Sequence, residues 1–169
     1  MSSKDEIITH FQKFPGIGPK QAERFAYFIM KQSGSFVESF INSLRHIKQN
    51  SRQCANCFAW HSASEVNANN LCNICSDETR NSAQTIIVEK ELDINAIEKT
   101  DEYNGVYFTL GGKLPFLADD PRDYIRIREL VQSLSRKIES KNLDEVIFAL
   151  PATDEGDHTM EYVKRTISQ

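Results

Sequence analysis

The chain's four cysteines stand in two tight pairs, Cys54-Ala-Asn-Cys57 and Cys72-Asn-Ile-Cys75, separated by fourteen residues rich in asparagine and serine. That stretch, from about residue 51 to 82, is too polar to bury an apolar core of its own, so it needs another source of order. A C-x2-C pair lets two sulfurs of one tight turn reach the same ion. Two such pairs complete a tetrahedron with metal–sulfur bonds of about 2.3 Å, the coordination zinc prefers. With all four positions filled by thiolate, no coordination site is left for a reacting water, and the expected zinc is structural. An iron–sulfur cluster and a redox dithiol pair are the rival readings, but neither requires this paired spacing. His61 lies between the pairs and could substitute for a cysteine; with four cysteines present, it reads as an ordinary surface residue.

Composition narrows the setting. Forty per cent hydrophobic and 26% charged residues suit a folded water-soluble protein and exclude both membrane and disordered classes. The opening MSSKDEIITHF has no apolar signal segment, and no run approaches the roughly 18 apolar residues of a membrane span. A cytoplasmic location is therefore expected, and in a reducing compartment paired cysteines point to metal before disulfide. Charge is unevenly spread. Residues 1–53 carry eight Lys/Arg against four Asp/Glu, a net of +4, whereas residues 85–169 carry eleven against seventeen, a net of −6. Any contact with a polyanion is expected in the first third, although solvated surface charge would look the same.

That third reads as helices. Ile7, Ile8 and Phe11 recur at helical spacing between Lys4 and Lys13, and Phe14-Pro-Gly-Ile-Gly-Pro-Lys20 then breaks the pattern. Pro19 opens a second helix, with Ala22, Phe25, Ala26, Ile29 and Met30 as its buried stripe and Ser33-Gly34 as its end. A third helix, from about Phe36 to Ile47, places Phe36, Val37, Phe40, Ile41, Leu44 and Ile47 on one face. The break resembles the helix-hairpin-helix motif of DNA-binding proteins. Gly16 and Gly18, on either side of the apolar anchor Ile17, turn the backbone so that N–H groups at a helix start face a phosphate oxygen. Lys20 and Arg24, one turn apart, add charge on the same face. Such contacts grip the backbone of single-stranded or duplex DNA without reading sequence. The plainer alternative is a tight interhelical turn that packs Ile17.

From Thr85 the pattern alternates between strands and helices. Strands are expected at 85–88, 105–110 and 145–150, and helices at about 93–99, 122–141 and 157–167; this βαβαβα order implies a parallel, helix-covered sheet. Glu89 follows the first strand, and Asp154, Glu155 and Asp157 follow the last. Carboxylates at the carboxyl ends of strands are where such sheets handle magnesium and phosphates. The arrangement resembles a Toprim domain, the topoisomerase–primase fold, in which a glutamate after the first strand and an Asp-x-Asp after a later one hold magnesium. Glu89 matches the glutamate, but Pro151 and Thr153 stand where the aspartates would. Asp154 and Glu155 then read as a weak metal or partner site, or as helix N-terminal charges favoured by the helix dipole. The fold class expected is α+β multidomain: a helix-hairpin-helix domain at 1–50, a four-cysteine zinc ribbon at 51–82 and a Toprim-like parallel α/β domain at 83–169.

The three motifs in this order resemble the RecR family of bacterial recombination mediators. The likeness is carried by Phe14-Pro-Gly-Ile-Gly-Pro-Lys-Gln-Ala-Glu-Arg24, Cys72-Asn-Ile-Cys-Ser76, Ile87-Val-Glu89, Ala96-Ile-Glu98, Leu110-Gly-Gly112 and Glu155-Gly156, which span almost the whole chain. The resemblance implies a non-enzymatic role in recombinational repair. With RecO, and with RecF at gaps, such proteins help load recombinase onto single-stranded DNA. It also implies DNA contacts at Lys20 and Arg24, association with the nucleoid when DNA is bound, and ring-like homo-oligomers built through the N-terminal helices and the C-terminal region. A magnesium-dependent Toprim enzyme acting on DNA phosphodiesters is the alternative. Two departures stand out: Pro151-Ala152-Thr153 replaces the family's Asn-Pro-Thr run, and the family continues with a further strand and helix beyond the position of Gln169. For the chain as it stands, the expectation is a sheet edge that needs pairing or capping. The zinc is expected to fix the angle between the basic hairpin and the acidic sheet.

Overall fold

The computed structural model describes residues 2–168, which fall into two compact units divided after Gln49. The first unit is helical: α1 (Ser3–Phe11), α2 (Pro19–Met30) and α3 (Gly34–Gln49). The Ser2 side chain accepts from the Asp5 N–H while the Asp5 carboxylate accepts from the Ser2 N–H, a reciprocal cap that starts α1 where the sequence allows. Phe11 meets Phe25 edge-on with ring centroids 5.5 Å apart, which ties α1 to α2. The stripe expected on α2 is narrower in the structure. Ala22 and Ala26 are fully buried, but Met30 is 63% exposed. On α3, Phe36, Phe40 and Leu44 are also largely exposed.

The second unit opens with an antiparallel hairpin, β1 (Ser51–Gln53) and β2 (Trp60–Ser62), and then the short helix α4 (Asn73–Ser76). It continues as β3 (Asn81–Val88), α5 (Glu91–Glu98), β4 (Gly105–Thr109), α6 (Ile127–Glu139), β5 (Glu145–Ala149) and α7 (Asp154–Ile167). The three longer strands form a parallel sheet in the order β4-β3-β5, with Ile87 opposite Phe108 on one side and Phe148 on the other. Side chains alternate between its faces, as strand geometry requires. Ile87, Phe108 and Leu110 pack with Ile127, Leu130, Leu134 and Val163 of the helices α6 and α7. Ile86, Val88 and Tyr107 face the other way, onto Ile94 of α5 and onto Cys54, Cys57 and Cys72. The cysteine segment thus shares a core with the sheet.

Two helix starts differ from the sequence expectation by three residues or more, each for a local reason. α6 begins at Ile127, not near Arg122, because the chain first makes a short 3-10 turn at Pro121–Asp123. It then lays Ile125, 3% exposed, into the core, and the Arg126 N–H donates to the Leu110 carbonyl. α7 begins three residues early, at Asp154, because the Thr153 hydroxyl accepts from the Gly156 N–H and caps the helix. Gly156 is required there: a Cβ would lie 1.9 Å from the Pro151 carbonyl oxygen. β3 also starts earlier than expected, at Asn81, with its pairing to β4 interrupted between Asn81 and Thr85.

A polar latch closes the sheet's cysteine-facing side. Arg80 meets the Glu98 carboxylate with both terminal nitrogens, one at 2.8 Å; Tyr107 donates to the same carboxylate at 2.6 Å, and Arg80 also reaches the Gly105 carbonyl at 3.2 Å. The Arg80 guanidinium holds the Glu98 carboxyl below the ordinary carboxylate range, with the Tyr107 hydroxyl adding to the effect. A depressed carboxylate pKa contributes stability that is present above the unfolded value and lost as pH falls through the folded one. Arg80→Met is therefore expected to cost about 2 kcal/mol near neutral pH, as for a hydrogen bond to a charged group. The penalty should shrink as pH falls below the carboxylate range, measured by urea unfolding at several pH values; a pH-independent penalty would assign the loss to packing.

Candidate metal centre and nucleic-acid interface

The first cysteine pair sits in the loop of the β1–β2 hairpin. The Cys54 N–H donates to the Ala59 carbonyl at 2.9 Å, and the Phe58 N–H turns back to the Cys54 carbonyl at 3.1 Å. Phe58 adopts a left-handed φ of 62°, uncommon for a bulky residue, while its ring packs 5.3 Å from that of Phe108. The second pair brackets the start of α4, where the Ser76 N–H donates to the Cys72 carbonyl and the Cys72 N–H points at the Cys54 sulfur, 3.4 Å away. All four Sγ atoms lie within 4.8 Å of one another, three of the residues are buried, and none is in a disulfide. The Cys57 and Cys72 sulfurs are 3.8 Å apart, against an edge of about 3.8 Å for a tetrahedron with 2.3 Å metal–sulfur bonds. Hydrogen bonds from Cys57, and then from Cys72 and Cys75, pull the Cys54 thiol down, and the same cluster, Cys54 foremost, pushes Cys57 up. Four thiols so close cannot all ionise unless a cation is among them, and the donor set fits one soft tetrahedral ion. His61 stands in β2 and is no part of the group.

The hairpin between α1 and α2 has the geometry that its glycines suggest. Gly16 takes a left-handed φ of 76°, and the Ile17 N–H closes the turn onto the Phe14 carbonyl at 3.1 Å. Gly18 is the N-cap of α2; no side chain caps this helix end, Pro19 occupies its first position, and its first turn holds no acidic residue. Ile17 is half-buried, while Gly16, Gly18, Lys20 and Arg24 are exposed. The result is a helix N-terminus left open, with positive groups beside it. Gly16→Ala is strained by the positive φ, although nothing lies within 4 Å of the added methyl.

The acidic residues after the strands are not gathered in the same way. Glu89, 4% exposed, follows the end of β3 and pairs with Lys90 Nζ at 2.7 Å. Glu155 lies in the first turn of α7 and pairs with Lys113 Nζ at 2.8 Å; Asp154 and Asp157 share that turn and are exposed. Among the described residues, the four cysteines are the only group of three or more metal-ligating side chains close enough to share an ion. The two lysines had no motif to announce them; their only signal was position, next to Glu89 and just after Gly111-Gly112.

An open helix-hairpin-helix, a four-sulfur centre and a parallel three-stranded sheet covered by helices, carried on one chain, define a multidomain protein of helix-hairpin-helix and Toprim type. The family model described as "RecR, helix-hairpin-helix" matches residues 5–48, and that described as "Toprim domain" matches residues 83–169. Recombination protein RecR of Prochlorococcus marinus (strain AS9601) is 35% identical over 163 residues, which cover 96% of this chain and 77% of the relative. Recombination protein RecR of Mycobacterium tuberculosis (strain CDC 1551 / Oshkosh) is 35% identical over 162 residues with the same coverage. The chain belongs to the RecR family.

Proposed function

We propose that this chain is a DNA-binding recombination mediator that grips the backbone of single-stranded and duplex DNA without cutting it. In this reading it acts with RecO, and with RecF at gaps, to load recombinase onto single-stranded DNA in the bacterial cytoplasm, at the nucleoid. The observation that carries the reading is the open N-terminus of α2. Pro19 has no N–H and Gln21 and Ala22 donate to the Gly18 carbonyl, so the Lys20 N–H is the one this turn offers, beside the left-handed Gly16, Gly18 and Arg24, with Ile17 as anchor and no carboxylate in the first turn to repel a phosphate. Cys54, Cys57, Cys72 and Cys75 hold a structural zinc. The exposed faces of α2 and α3, with Phe28, Met30, Phe36 and Phe40 each at least 40% exposed, favour a homo-oligomer formed through the helical unit. Asp154 and Glu155, at the exposed carboxyl edge of the sheet, suit a basic partner protein.

A magnesium-dependent Toprim enzyme has less support, because Pro151 and Thr153 stand where its aspartates would and Glu89 is already paired with Lys90. The test is binding to a short labelled single strand and to a gapped duplex over a series of salt concentrations, with magnesium present. Affinity that falls steeply with salt while the DNA stays intact supports the mediator reading. Nicking or joining abolished by Glu89→Gln would overturn it.

A further inference from the structure

β3 lies between β4 and β5 with both neighbours parallel to it; the chain leaves β3 for α5 on one face of the sheet and leaves β5 for α7 on the other, so the carboxyl ends of β3 and β5 flank a crevice. Glu89 stands at that point with its side chain only 6% exposed. A carboxylate so buried needs a positive partner. Two lysines converge on the crevice. Lys90 follows Glu89 directly, and Lys113 comes from the loop after β4 to reach Glu155 on α7. The Lys113 backbone is pinned rather than free: its neighbour Leu114 is 3% exposed, and the Leu114 N–H donates to the buried Thr159 hydroxyl at 2.9 Å. The same loop is tied to the strand end, where the Gly111 N–H donates to the Glu89 carbonyl at 2.9 Å, so the loop carrying Lys113 runs from Glu89 to Glu155; hydrogen bonding to Glu155, and then the fields of Glu155 and Glu89, raise the Lys113 ammonium above its ordinary range. A charged amine paired with Glu155 is thus carried on a loop that is hydrogen-bonded to Glu89, beside the two carboxylates that a divalent ion at this edge would use.

We propose that Lys113, assisted by Lys90, is the resident cation of this crevice and the specificity-determining residue that closes it to magnesium and other divalent ions. The inference concerns cation choice at the sheet edge and stands whether or not the helix-hairpin-helix binds DNA. Mg2+ or Mn2+ would have to displace a tethered ammonium that costs no translational entropy to hold, and in doing so bring a second like charge beside it. Once both lysines are neutral, Glu89 and Glu155 become uncompensated carboxylates of the kind that hold a hydrated divalent ion through one or two ligands.

The test uses the whole chain, loaded with metal at the cysteines, and follows the loss of the free Mn2+ spin-resonance signal on titration, with Mg2+ calorimetry in parallel. Lys90→Gln/Lys113→Gln is expected to bind Mn2+ about tenfold more tightly than the unaltered chain, a lower bound for removing cationic charge a few ångströms away. Adding Glu89→Gln should cancel the gain, and Lys113→Arg, which keeps the charge, should leave binding at the original level. A double variant no tighter than the unaltered chain, or a gain that survives Glu89→Gln, overturns the proposal. Should the double variant lose its far-ultraviolet dichroism, Lys113→Gln alone decides in the same direction, since its side chain is on the surface and its replacement leaves the Leu114 anchor in place.

Discussion

Metal removal is expected to destabilise the sheet as well as the cysteine loops. Cys54, Cys57 and Cys72 are at most 2% exposed and pack with Ile86, Val88, Ile94 and Tyr107 in one apolar cluster. The Thr109 N–H at the end of β4 donates to the Cys57 carbonyl at 2.9 Å, so the first knuckle is hydrogen-bonded to the sheet edge. Without the ion, up to four thiols remain in a low-dielectric site where their charge must be neutralised by protons, and the polar residues 58–71 lose the cross-link that orders them. Structural zinc in small domains supplies on the order of 10 kcal/mol, comparable with the whole stability of a domain this size. Titration with a strong chelator should release roughly one zinc per chain, as a four-thiolate site predicts. Release should be accompanied by a large fall in melting temperature and loss of the near-ultraviolet signal of buried Tyr107, while much of the helical signal of α1–α3, in the other unit, persists. Cys57→Ser should reproduce the loss more severely than Cys75→Ser, because Cys57 is buried and Cys75 only partly so. Metal-free protein with an unchanged melting temperature would show that the cluster is held by packing alone.

The cysteine spacing was legible because metal ligation is written in local sequence: each pair must form its own knuckle whatever the rest of the chain does. The helix-hairpin-helix was legible for the same reason, since Gly16 needs its left-handed φ within the short turn between α1 and α2. What the sequence did not reveal is what depends on distant partners. That Cys57 packs with Ile86 and Tyr107 follows from the fold of the sheet and leaves no trace in the spacing of either segment. α6 starts later than its periodicity implies because Tyr124 and Ile125 turn back onto the Pro121 carbonyl, while Arg126, at ψ 55°, is drawn to the carbonyls of Leu110 and Thr109. The exposure of Met30 and Phe40 was equally invisible, because an apolar stripe is written the same way whether it faces a core or open solvent. At the acidic edge, composition alone showed carboxylates; only the structure pairs Glu89 with Lys90 and Glu155 with Lys113.

Replacing Lys20 and Arg24 together by alanine is expected to weaken DNA binding by about tenfold to a hundredfold at low salt, with the fold unchanged. Both side chains are exposed on α2, and the Arg24 guanidinium donates to the neutral Gln21 amide oxygen at 3.3 Å, a bond easily exchanged for a phosphate. Among the described residues neither forms an ion pair, so their loss removes charge from the surface without opening the core, where Ala22 and Ala26 carry the packing. The diagnostic quantity is the salt dependence. Each phosphate contact to a single strand contributes roughly 0.7 to the slope of log affinity against log salt, so losing two should flatten the slope by roughly 1.4. Gly18→Val should act differently: it crowds the approach of the backbone to the Lys20 N–H, lowering affinity while leaving much of the slope, because the two cations remain. Charge and backbone geometry would then be separable in one titration series, with dichroism confirming an intact helical unit. An alanine double variant that keeps both its affinity and its slope would move the DNA site off this hairpin, whatever the family likeness of its sequence.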